Sequence, residues 1–200
     1  MTDKRRVVVT GIGLRTPVGH SLAEIREAFL AGRTGVRAMP EWSAIENLRT
    51  GVAGVCTGVE EGEVPRHFRR SMGRVAILAA LSAVDAVRES GLDAAEIASP
   101  ACGVSFGSTA GSTQAQEDYL RQILATNSLK GLQSSVYIRF MSHTCAANLA
   151  TMFQTQGPVI ASCTACVSGS QGIGYGYEQI RAGRAEIMIT GGAEEMHYMD

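Results

Sequence analysis

An α/β fold on a mostly parallel sheet with flanking helices is what this sequence predicts, and three observations carry the prediction. Short apolar, β-branched runs recur at residues 6–10, 102–106, 157–162 and 186–190, each too short for a helix and bounded by turn residues. Helical periodicity separates the later runs, which is the strand–helix–strand alternation of parallel sheets. The composition agrees: 45% hydrophobic residues with 23 glycines and few aromatics suits many tight strand–helix turns. Two hundred residues can bury one sizeable core or two small ones.

Residues 6–10 end in Gly11-Ile12-Gly13 and read as a buried first strand followed by a tight turn. Residues 21–30 form an amphipathic helix, with Leu22, Ile25, Ala28 and Phe29 on one face and Ser21 and Glu24 spaced as a capping box. Residues 31–35 close it, and the glycine-rich stretch to Pro65 is irregular apart from one strand near 52–56. Alanine-rich periodicity predicts a helix over 71–90, stopped by Gly91. A buried strand over 102–106 leads into the loop 107–111, a polar helix over 114–124 and a loop over 127–136. Small residues over 142–154 read as a helix. The strand running to Cys163, the helix 167–182, the turn 182–184 and the strand 186–190 then make a βαβ unit.

Cys166 falls where that strand passes into its helix. A sulfur there meets the positive end of the helix dipole, which favours thiolate, and the turn offers backbone N–H groups to an oxyanion. Thioester exchange needs that combination. The competing reading is an inert core thiol, since cysteine is among the most buried residue types.

Charge and cysteine usage narrow the field. A formal charge of −1 argues against a nucleic-acid binder. Five cysteines, an odd number in apolar contexts, argue against a disulfide framework. No stretch approaches a membrane span, and the apolar run behind the basic start at residues 1–6 is too short for a signal sequence. The expectation is a reduced, soluble, cytoplasmic protein.

Three segments resemble the β-ketoacyl-ACP synthases: Thr164-Ala165-Cys166-Val167-Ser168-Gly169 with the helix behind it, residues 186–195 through Gly191-Gly192-Ala193-Glu194-Glu195, and the beginning from Arg5 to Gly13 followed by Thr16-Pro17-Val18-Gly19. The resemblance covers residues 5–195. It implies a thiolase-like fold of which residues 1–200 are the N-terminal half; the family's catalytic histidines, lysine and second oxyanion donor would lie beyond residue 200. It implies that Cys166 accepts an acyl group from acyl-ACP and that malonyl-ACP, on losing carbon dioxide, attacks it to give a 3-oxoacyl product in fatty acid, polyketide or polyene elongation. Thr109, Ala110 and Gly111 would line the acyl pocket, and Arg66, Arg69 and Arg70 would dock the acidic acyl carrier protein. No metal, nucleotide or flavin cofactor is implied. A homodimer, or a heterodimer with a ketosynthase-like partner, would pair near residues 158–164. Two further readings share the resemblance: a non-catalytic subunit like a chain-length factor, against which Cys166 speaks, and a thiolase-type acyltransferase using coenzyme A.

Other motifs yield to plainer readings. Cys163-Thr164-Ala165-Cys166, with His143 and Cys145, could supply zinc ligands or a redox pair, but these residues lie in apolar strand and helix patterns, with Cys163 a buried strand residue. Gly103-Val104-Ser105-Phe106-Gly107 fits the serine-hydrolase pattern without the helix that must follow at once. Gly11-Ile12-Gly13 lacks the third glycine of a dinucleotide fingerprint, because Thr16 holds that place. The cluster Arg66, His67, Arg69, Arg70 and Arg74 is, read by itself, a solvated helix start. His20, His67 and His197 have no context that promotes them.

Overall fold

The structure, a computed structural model, describes residues 5–133 and 135–199; residues 1–4 of the basic start, Ser134 of the expected 127–136 loop and Asp200 lie outside these. Residues 6–10 form no strand, and Val8 and Val9 are 66% and 79% exposed. A β-branched run becomes a buried strand only where a sheet edge receives it, and no described strand takes this one. The segment lies instead along a long helix. Ile12 N–H donates to Glu89 Oε2 at 2.7 Å, Arg15 pairs with Asp85, and a Cβ on Gly13 would meet the Ser82 carbonyl oxygen at 1.7 Å. The glycines therefore serve close approach to a helix rather than a tight turn.

Helix α1 (Leu22–Leu30) is capped by Ser21 Oγ, which accepts the Glu24 N–H. Glu24 returns its carboxylate to His20 N–H rather than to Ser21, so the expected box is only half made. Ala28 is buried, whereas Leu22 and Phe29 of the predicted apolar face are exposed. Strand β1 (Val36–Ala38) pairs antiparallel with β2 (Val52–Gly54). A short helix α2 (Arg66–Arg69) precedes α3 (Arg74–Ser90), which Gly91 ends in the left-handed conformation. Helix α4 (Ala94–Ile97) carries a complete Asp93/Glu96 capping box.

Strand β3 (Cys102–Gly107) is buried along its whole length. Helix α5 (Thr113–Thr126) follows, and α6 (Val136–Phe140) starts at the last residue of the expected loop and runs on beyond it, its Phe140 ring 5.4 Å from Tyr119 of α5. Then come α7 (Thr144–Phe153), β4 (Val159–Ser162), α8 (Ser168–Arg181) and β5 (Ile187–Gly192). No helix among the described residues is long and apolar enough to cross a membrane.

The sheet is parallel with order β4-β3-β5. From β3, Cys102, Val104 and Phe106 join a core built with Ile77, Leu81, Cys145 and Leu149 of α3 and α7. Full burial of a side chain such as Leu149 contributes about 1.5–3 kcal/mol. Helix α8 packs on all three strands, with Ser168, Gly172 and Gly176 buried on its inner side. Helices on both faces explain why β3 reads as a continuous apolar run. The register sets Gly107 opposite both Ser162 and Gly192. All three strands thus end level, and the chain leaves each of them on the same side of the sheet.

Candidate active site

The carboxyl ends of parallel strands form the edge where α/β proteins hold ligands. Here that edge gathers the turn 163–167 after β4, the loop 108–112 after β3 and the segment 193–195 after β5.

Cys166 lies in the first of these, two positions ahead of the first residue of α8, and it is exposed. The turn is built by small hydroxyl side chains. Thr164 N–H donates to Ser168 Oγ at 2.8 Å, Ser168 Oγ donates to the Ala165 carbonyl at 2.7 Å, and Ser162 Oγ donates to the Ser168 carbonyl at 2.8 Å. Ala165 takes the left-handed conformation, φ +49°, which is rare for an L-residue and sharpens the bend just before Cys166. Helix α8, 14 residues long, begins directly after this turn.

Cys163 is not a buried strand residue. Strand β4 stops at Ser162, and Cys163 is exposed in the turn, donating from Sγ to the Thr109 carbonyl at 3.2 Å. The apolar run continued in the sequence, but the chain must leave the sheet at once to reach α8. The other members of the imagined zinc set are dispersed in environment, Cys145 fully buried and His143 exposed. Among the described residues no group of three or more His, Cys, Asp or Glu is placed to hold a metal. Burial pushes the Cys145 thiol up to about 12, with Glu194 adding to the shift, and the Cys102 thiol up to about 11. Ser105 is fully buried in mid-strand, far from the shape of a nucleophile elbow.

Thr109 is exposed, Ala110 half-buried and Gly111 buried. Their loop is tied to the end of β5: Thr109 N–H donates to Glu194 Oε1, Ser108 Oγ donates to Glu194 Oε2 at 3.4 Å, and Gly111 N–H donates to Ser108 Oγ at 3.1 Å. The expected pocket residues and the cysteine turn are therefore neighbours, joined through the Cys163–Thr109 bond.

The basic cluster divides. Arg66 and Arg70 are exposed at the ends of α2. Arg69 is half-buried, its Nε without a partner among the described residues, and Arg74 turns away to Glu61 and the Cys56 carbonyl. Arg139 of α6 joins the patch by donating from Nε to the Arg70 carbonyl at 3.0 Å. Nothing in the sequence marked Arg139, because the contact spans 69 residues.

His197, unpromoted by its sequence context, is buried beside the same end of β5. Its Nε2 lies 2.8 Å from Glu117 Oε2 and its Nδ1 accepts the Met199 N–H at 3.3 Å, so a neutral ring with its proton on Nε2 satisfies both partners. Glu117 also receives Tyr198 Oη at 2.7 Å and an ion pair from Arg121. These bonds, Tyr198 foremost and opposed by burial, hold its carboxyl down at about 2.

The family model described as "Beta-ketoacyl synthase, N-terminal domain" matches residues 4–199. A 3-oxoacyl-[acyl-carrier-protein] synthase 1 from Haemophilus influenzae is 27% identical over 194 residues, covering 97% of this chain and 48% of the relative. The ketoacyl synthase alpha subunit of the tetracenomycin polyketide synthase from Streptomyces glaucescens is 32% identical over 200 residues, covering 96% and 46%. The crystal structure of a beta-ketoacyl synthase from Burkholderia phymatum superposes with a TM-score of 0.88 at 37% identity, over 96% of this chain and 47% of that one. The chain thus spans about half the length of these relatives.

Proposed function

The chain belongs to the β-ketoacyl synthase family and has its thiolase-like α/β fold, and on that premise we propose that residues 1–200 are the N-terminal half of a condensing enzyme that extends acyl chains in fatty acid or polyketide synthesis. Cys166 Sγ attacks the carbonyl of an acyl thioester on the acyl carrier protein. The oxyanion that forms is met by the Cys166 backbone N–H, the carrier's thiol leaves, and the acyl group stays on sulfur. Malonyl-ACP then loses carbon dioxide, its carbanion attacks the acyl carbonyl, and Sγ departs to leave 3-oxoacyl-ACP.

One observation carries this reading. Cys166 is exposed in a turn stiffened by Ser162, Thr164 and Ser168 ahead of a 14-residue helix, whereas Cys102 and Cys145 are buried and Cys163, exposed in the same turn, has its Sγ hydrogen-bonded to the Thr109 carbonyl. A chain-length-factor role has no use for a nucleophile there. Thr109, Ala110 and Gly111 fit an acyl-pocket wall because their loop touches the cysteine turn. Arg66 and Arg70, with Arg69 beside them, fit a dock for an acidic carrier, which the name of the Haemophilus relative also supports. Strand β4 is an edge of the described sheet, with Val159 half exposed, and suits pairing with a second copy or a ketosynthase-like subunit through 158–164.

The test is an intact mass of the full-length protein before and after incubation with acyl-ACP, followed by peptide mapping. An acyl adduct on Cys166 is expected. No adduct, or one on another residue, removes Cys166 as nucleophile and brings the non-catalytic subunit forward. Acylation by acyl-CoA and not by acyl-ACP favours a thiolase-type enzyme.

A further inference from the structure

The backbone of Thr109 is held from two sides by side chains of two different strands' ends. On one side its N–H donates to Glu194 Oε1, just past β5. On the other its carbonyl accepts from Cys163 Sγ at 3.2 Å, just past β4. Between them, the Ser108 hydroxyl, fully buried, bonds Glu194 and receives the Gly111 N–H, so the loop cannot shift without breaking several bonds together.

We infer that Cys163 and Glu194 are positioning residues that clamp the Thr109 peptide and so set which acyl chains the site accepts. The inference rests on Cys166 as the acyl acceptor and deepens that reading. Ala110, half-buried, follows Thr109 directly in the loop that Cys163 joins to the Cys166 turn, the loop proposed above as the acyl-pocket wall. Cys163 is one of the residues of that turn, so the same thiol that fixes the loop also ties it to the nucleophile. Neither side chain takes part in bond making. A carboxylate gives Glu194 the stronger hold, since bonds to charged groups exceed those between neutral ones. The thiol is a weak donor that a hydroxyl can replace.

Full-length wild type is compared with Cys163→Ala, Cys163→Ser, Glu194→Ala and Glu194→Gln. Each is offered carrier-protein thioesters of short, medium and long saturated acyl groups, and the rate of acylation at Cys166 is followed by mass. The alanine variants should change the long-to-short rate ratio by roughly two- to tenfold, the span of one lost hydrogen bond. Cys163→Ser and Glu194→Gln should restore most of it. Hydrogen exchange gives a second readout in the same proteins: the 109–111 amides should exchange faster in the alanine variants and return toward wild type in the conservative ones. Unchanged chain-length ratios and unchanged exchange in Cys163→Ala would overturn the clamp, even with Cys166 fully acylated. A wild-type protein in which Cys166 takes no acyl group would instead bring down the reading beneath it.

Discussion

Glu195 accepts a hydrogen bond from Ser112 Oγ at 2.8 Å across a separation of 83 residues, and both residues are buried. The same carboxylate accepts the Val75 N–H at 3.2 Å and the Gln114 N–H at 2.8 Å, in the first turns of α3 and α5. Helix N-termini leave such N–H groups without intrahelical partners, and a buried anion between two of them answers both. Glu195→Ala strands these donors and should lower the unfolding free energy by about 2–5 kcal/mol, read from urea denaturation. Glu195→Gln, which keeps the shape and one acceptor oxygen, should lose distinctly less. Equal losses in the two variants would show that the bonds matter little beside packing.

Acid should find the Glu117 cluster. Its carboxyl is held from the ordinary 4.5 down to about 2, first by the Tyr198 hydroxyl and then, against burial, by Arg121 and His197. A folded value below the unfolded one contributes stability that is complete above about 4.5 and lost as pH falls through about 2. Glu117→Gln should therefore be less stable than wild type at neutral pH, with the gap closing as the pH drops through that window. Urea midpoints collected from neutral to strongly acidic pH decide it: a gap that stays constant would mean that the charge contributes nothing.

The half of the fold that carries Cys166 was legible because its signals are local. A short apolar run, a small-residue turn and a helical period follow one another within residues 157–192, and β4, α8 and β5 stand where that order puts them. The run at 6–10 has the same local pattern but pairs with no described strand and lies along α3 instead, so pattern alone misplaces it. Cys163 failed for a related reason, since apolar continuity does not say at which residue a strand ends. The pairs Glu117–His197 and Glu195–Ser112 join residues about eighty apart, and no spacing rule reaches that far. Helix α6 is short and has no side-chain cap, so tertiary contacts, with α5, with α7 and from Arg139 to the Arg70 carbonyl, define it.

Alkylation should separate the thiols by position. Burial pushes Cys102 up to about 11 and Cys145 up to about 12, so at mildly alkaline pH roughly one thiol in a thousand, or fewer, is thiolate there. Cys163 and Cys166 are exposed on the sheet's carboxyl edge. Iodoacetamide on the native protein should label Cys163 and Cys166 within the time that leaves Cys102 and Cys145 untouched, with all of them labelled after unfolding. Peptide mapping checks this, and rapid native labelling of Cys145 would contradict its burial against α3 and β3.

The basic patch makes a prediction that distinguishes docking from chemistry. Arg66 and Arg70 are exposed, while Arg74 is engaged by Glu61 at 3.3 Å and by the Cys56 carbonyl at 3.0 Å. Charges at an interface rim act mainly on encounter and orientation, and salt screens them over about 8–10 Å. Reversing both, Arg66→Glu with Arg70→Glu, should lower kcat/KM for acyl-ACP by roughly tenfold or more at low salt, and less at high salt. Acylation of Cys166 by a small acyl-pantetheine thioester, which carries no protein surface, should be unaffected. Arg74→Ala breaks the surface pair with Glu61 and the bond to the Cys56 carbonyl, and should leave both rates near wild type while trimming stability by about 1 kcal/mol. If the double reversal slows the small thioester as much as the carrier-borne one, the patch shapes the cysteine site rather than the encounter.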